Sequence, residues 1–103
     1  MSQAYYDHPF LEVEAAKRLL ELGVKVIGVD TLSPDETRMD GSFPDFAVHH
    51  AVLGAGAVIA ENLTNLEAIQ TGDWLVSLVP LKLGGLDGSP VRAFASSTAA
   101  LSP

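Results

Sequence analysis

Apolar and polar positions alternate along this chain in two periods. In "LEVEAAKRLLEL", residues 11–22, Leu11, Ala15, Leu19 and Leu22 recur at helical spacing, with Glu14, Lys17, Arg18 and Glu21 on the other side. The spacing predicts an amphipathic helix, stopped at Gly23 because glycine readily takes the left-handed turn that ends helices. "VKVIGVD", 24–30, is short, β-branched and nearly uncharged, as a buried strand would be. Residues 31–45 are rich in Ser, Pro, Asp and Gly and predict a loop long enough to suggest a function. A second helix is expected over 46–54, capped by Asp45 and closed by Gly54 and Gly56. "AVIAE", 57–61, predicts a second strand and "LEAIQTG", 66–72, a helical turn. A third strand is expected over 73–83, with Pro80 marking an edge or bulge, then a turn over 84–90 and a last strand over 91–96. Residues 97–103 carry no pattern and are expected to fray.

Helix, strand, helix, strand is α/β order, and continuous apolar strands imply cover on both faces of a sheet. The expectation is one α/β domain over residues 1–103, a mixed sheet with two packed helices. A chain of 103 residues has room for one such domain. An apolar fraction of 48% with 18% charged residues argues against disorder. The net charge of -7 excludes nucleic acid and anionic membrane surfaces as natural partners, since phosphates would be repelled. No cysteine is present, so disulfides and thiolate metal sites are excluded. No signal-peptide pattern opens the chain and no apolar run approaches a membrane span, so a cytoplasmic location is expected.

The candidate chemistry lies in "HHAVLGAGAVIAEN", residues 49–62. Phe46, His49, His50 and Leu53 fall at i, i+3, i+4 and i+7, a face expected to point inward. Adjacent helical side chains diverge by about 100°, so His49 and His50 are not expected to reach one ion together. Asp30 and Glu61 each follow an apolar strand. If the strands are parallel neighbours, both acids stand at the carboxyl edge of the sheet, where open α/β folds bind ligands. One imidazole and one or two carboxylates lean towards Zn or Mn. The residue types are also those of a structural hydrogen bond, and a catalytic zinc takes three protein ligands. "GAG" at 54–56 precedes a strand and "GGLDGSP" at 84–90 leads into one, so neither has the setting of a phosphate loop. Ser33 and Ser89 have no base placed beside them by the sequence.

Three stretches, "HPFLEVEAAKRLLELGVKVIGVDTLSPD", "HHAVLGAGAVIAENLTNLEAI" and "LVPLKLGGLDGSPVRA", and the order between them resemble the C-terminal half of the cyclase family. These are metal-dependent hydrolases that include bacterial kynurenine formamidase and isatin hydrolase. The resemblance spans about residues 7–95. It implies part of a swivelling β/β/α fold, a Zn or Mn cofactor, hydrolysis of a small amide or cyclic substrate as in tryptophan catabolism, and assembly into homo-oligomers. His49 and Glu61 match the family's metal-site histidine and acid, and His50 a neighbouring pocket position. Asp30, Ser33 and Asp35 match a "D-x-x-S-x-D" stretch near the site, and Ser89, Pro90 and Arg92 a "GSPVR" signature. The family's "H-x-G-T-H-x-D-x-P" ligand motif is absent. The chain therefore reads as one half of such an enzyme, needing a complementary N-terminal half; no catalytic acid or base can be assigned within it. The alternatives are a non-catalytic α/β module that self-associates or pairs with another chain, and a small-ligand binder.

Overall fold

A computed structural model describes residues 3–98. The chain divides into two units, Met1–Thr64 and Asn65–Pro103. The first opens with a short helix α1 (Gln3–Tyr6), followed by α2 (Val13–Glu21), strand β1 (Val26–Gly28), α3 (Ala47–Gly54) and strand β2 (Val58–Ala60). β1 and β2 pair in parallel, Val26 opposite Val58, Ile27 opposite Ile59 and Gly28 opposite Ala60.

Both long helices end in the same way. After α2, Gly23 at φ 94° donates to Leu20 O while Val24 donates to Leu19 O. After α3, Gly56 at φ 76° donates to Leu53 O while Ala57 donates to Val52 O. This is the Schellman arrangement, in which a left-handed residue lets the chain satisfy the last carbonyls and turn back. Glycine is needed at each joint because a Cβ disfavours that conformation. The chain then enters a strand directly.

The core is small and lies between the helices and the strand pair. Ala16, Ile27, Val48, Val52 and Ala57 are buried, with Leu11, Val13, Leu19, Leu20, Val24, Val29 and Ile59 packed around them. Two expected faces are corrected here. On α2 the inward stripe is Val13, Ala16, Leu19 and Leu20; Ala15 is exposed and Leu22 sits past the last helical turn, 64% exposed. On α3 the inward residues are Val48 and Val52, while Phe46, His50 and Leu53 are exposed. Small or β-branched side chains at these positions let two short helices approach closely, and the larger side chains are turned outward.

The second unit contains a 3-10 turn (Leu66–Ile69) and an antiparallel pair, β3 (Trp74–Pro80) and β4 (Val91–Ser97). Trp74 stands opposite Ser97 and Pro80 opposite Val91. Pro80 thus ends its strand, where a missing N–H does least harm. In the connecting loop Ser89 Oγ accepts from Leu81 N at 2.9 Å and donates to Pro90 O at 2.8 Å. β4 reaches Ser97, and residues 99–103 of the expected tail lie outside the described residues.

The α/β class and the two packed helices are observed, and the expected elements form within a few residues of their predicted bounds. Parallel and antiparallel pairing occur in separate two-stranded ladders. The short α1 had no signal in the hydrophobic pattern. Among the described residues no helix is long and apolar enough to cross a membrane. Packing gives a direct test of the corrected α3 face. Val52→Ala, which opens a void at a fully buried side chain, should lower unfolding free energy in urea titration by about 1–3 kcal/mol. Leu53→Ala, on the outer face, should change it by less than about 0.5 kcal/mol.

Candidate functional site: a carboxylate–imidazole–carboxylate chain at the sheet rim

The parallel register decides which acids reach the imidazole. Alternate residues of a strand face opposite sides, and register partners face the same side. Ile27 and Ile59 face the helices and pack with the core. Two residues further on, Val29 also packs with the core, and Glu61 is its counterpart in the continued ladder. The ladder persists past the strand ends: Val29 N donates to Ala60 O, Asn62 N to Thr31 O and Leu63 N to Val29 O. Leu63 folds back so closely that a Cβ on Gly28 would meet its Cδ1 at 2.8 Å. Glu61 therefore rises on the helix side, where α3 presents His49. Glu61 Oε1 lies 3.2 Å from His49 Nε2. Asp30, one residue out of phase, is exposed and makes no side-chain hydrogen bond.

The other imidazole nitrogen meets Asp35. His49 Nδ1 lies 2.7 Å from Asp35 Oδ2. The same carboxylate accepts from the backbone N–H of His49 on Oδ2 and of Val48 on Oδ1, both at 2.9 Å. The first amides of a helix have no intrahelical partner and are commonly met by a side chain immediately before it. Here the cap arrives from a loop 13 residues upstream. The expected cap, Asp45, binds only Ala47 N, at 3.2 Å. Phe46 enters the helix in the left-handed region (φ 52°), and its ring meets the His49 imidazole edge-on at 5.9 Å between centroids.

The loop is folded to hold Asp35 in place. Thr31 Oγ1 donates to Ser33 O, Ser33 Oγ accepts from Asp35 N, and Pro34 O accepts from Leu11 N. Further along, His8 Nε2 lies 2.7 Å from Thr37 Oγ1. Ser33 and Asp35 are the buried polar residues of the unit, 8% and 6% exposed. Burial alone pushes the Asp35 carboxyl upward, but the hydrogen bonds from the His49 ring and from the His49 and Val48 amides outweigh it. The net result is a value below the ordinary 3.8.

Of the residues singled out from sequence, the fold brings together His49, Glu61 and Asp35, with Ser33 supporting. His50 is exposed on α3 and makes no side-chain hydrogen bond or ion pair with the group. Ser89 and Arg92 belong to the second unit, Ser89 as the loop latch described above and Arg92 as an exposed β4 residue opposite Val79. A cleft of about 330 Å³ is lined by Phe10, Leu11, Asp35, Arg38, Pro44 and Val48, among others, and contains neither His49 nor Glu61.

The His49–Glu61 span fits two ligands of one ion. Tetrahedral zinc holds nitrogen and oxygen donors at about 2.0–2.1 Å, which sets neighbouring donors roughly 3.3 Å apart. Among the described residues no group of three or more His, Asp or Glu side chains is placed to hold a metal. The donor set is thus right in kind and short in number.

The family described as "Putative cyclase" matches residues 1–36. The kynurenine formamidase of Bacillus cytotoxicus is 42% identical over 85 residues, covering 82% of this chain and 38% of the relative. That of Bacillus thuringiensis is 39% identical over the same coverage. That of Delftia acidovorans is 40% identical over 77 residues, 75% of this chain and 34% of the relative. The chain belongs to the cyclase family. It spans less than two fifths of the length of the curated relatives it matches, and an 85-residue match in a chain of 103 must include its centre, His49 and Glu61 among it.

The capping role of Asp35 yields a pH prediction. Its pKa is lowered on folding, so its contribution is fully present above the unfolded value and is lost as pH falls through the folded one. Asp35→Asn should reduce stability at neutral pH by about 1–3 kcal/mol. It should also flatten the decline in stability below about pH 4. Urea titrations at several pH values measure both effects.

Proposed function

We propose that this chain supplies His49 and Glu61 to a divalent-metal site, Zn or Mn, of a formamidase-type hydrolase whose remaining ligands come from polypeptide outside these residues. The observation that carries the reading is the 3.2 Å approach of His49 Nε2 to Glu61 Oε1 at the carboxyl rim of the parallel pair. A divalent ion at such a site lowers the pKa of water towards neutrality and polarises a carbonyl. The chain's own residues orient the donors: Asp35 holds the imidazole from behind, and the register holds Glu61 in front of it. The substrate class suggested by the relatives' name, kynurenine formamidase, is a small aromatic formamide. Hydrolysis by 103 residues with two donors is not expected; activity belongs to the assembly with the missing ligands.

Calorimetric titration with Zn²⁺ tests the reading. His49→Ala and Glu61→Gln should each weaken binding by at least about tenfold, since even residues behind the ligands are worth 10–100-fold. Unchanged affinity in both variants would remove this pair from any metal site. Formamidase activity should arise only when the chain is combined with the complementary part of a family member.

A second reading, a non-catalytic module that associates with itself or another chain, is favoured by one observation. Val26 and Val58, side by side in the parallel ladder, are 45% and 52% exposed. Parallel pairs are normally covered on both faces. Sedimentation should then show concentration-dependent association; a monomer at all concentrations counts against it.

A further inference from the structure

We propose that Asp35 is the positioning residue that sets the tautomer of His49, holding the ring proton on Nδ1 and turning the Nε2 lone pair towards Glu61. The functional consequence, though not the tautomer itself, rests on the metal-site reading above.

The assignment follows from what each atom can do. Both Asp35 oxygens already act as acceptors, Oδ1 for the Val48 N–H and Oδ2 for the His49 N–H, as a carboxylate's oxygens do. At 2.7 Å from Asp35 Oδ2, His49 Nδ1 must therefore be the donor. Asp35 cannot swing away from this duty, because its two oxygens are also fixed by the amides of Val48 and His49. The ring cannot readily turn over either: its edge contact with Phe46 and the opposite placement of Glu61 hold it from two more directions. With the proton on Nδ1, the neutral ring presents a lone pair at Nε2, and Glu61 presents another 3.2 Å away. Two acceptors at that separation attract only if a cation, a proton or a metal ion, is shared between them. Asp35 thus converts a helix cap into a pre-set ligand. A histidine backed by a carboxylate is oriented and made more basic towards a metal.

Imidazole ¹⁵N NMR of the 103-residue chain, at a pH where the ring is neutral, reads the tautomer directly. The wild-type chain should show a protonated Nδ1 and an unprotonated Nε2 at His49. Asp35→Ala should shift the population towards protonated Nε2 and weaken Zn²⁺ binding by about 10–100-fold. Asp35→Asn keeps an oxygen that can accept from both His49 hydrogens, so it should retain the Nδ1–H form. Asp45→Ala removes a bond at the same helix end without touching the ring, and should leave the tautomer as in wild type. A wild-type spectrum with the proton on Nε2 would overturn the proposal even if no variant folds, as would an Asp35→Ala chain that keeps Nδ1–H fully. If Zn²⁺ affinity proves indifferent to His49→Ala while the tautomer behaves as stated, the metal reading fails and the positioning role stands.

Discussion

The amides that open α3 would stand unpaired at the rim of the sheet if Asp35 were not beneath them. That carboxylate is nearly sealed from solvent and surrounded by hydrogens: two from the helix backbone and one from the imidazole. A buried charge is tolerated only when so satisfied. The whole loop from Thr31 is shaped to deliver it, through the Thr31–Ser33 and Ser33–Asp35 bonds and the anchoring of Pro34 to Leu11. The same oxygen that caps the helix, Asp35 Oδ2, therefore also fixes the His49 ring. Helix capping and imidazole orientation in this unit share a single residue.

Much of this was legible in the letters. The strands at 24–30 and 57–61, the helices beside them and the stops at Gly23 and Gly56 follow from periodicity and from the demand for a left-handed residue at a helix end. The pairing of His49 with Glu61 was legible only through the family resemblance, because periodicity placed His49 and His50 on the same inward face. What the pattern missed has a common cause. On α3 the large side chains Phe46 and Leu53 were read as core, yet a two-helix layer this thin is filled by Val48, Val52 and Ala16. The cap was read at Asp45 because local sequence favours the nearest acid. The fold used Asp35 instead, reached through a loop whose path no periodicity encodes.

Family membership and the His49–Glu61 pair are both compatible with the metal-site reading proposed above, and the described residues carry only part of the donor set that reading needs. Relatives bearing the name kynurenine formamidase are more than twice as long as the matched segment. The structure holds one imidazole and one carboxylate face to face, short of a full ligand set. The apolar strand face bearing Val26 and Val58 is open in the same unit. On the proposed reading, one further chain segment or partner would answer both the short donor set and the uncovered strand face, one by its chemistry and the other by its surface.

The parity of the β1–β2 ladder has an evolutionary consequence. Glu61 faces His49 because it is an even number of steps from Ile59; Ala60, one step before it, belongs to the opposite face of the ladder. Substitutions along 57–60 can preserve that aim, but gaining or losing one residue between Gly56 and Glu61 would put an asparagine or an alanine at the imidazole. Lineages that retain this pairing should therefore conserve the length of the segment more strictly than the identity of its exposed residues.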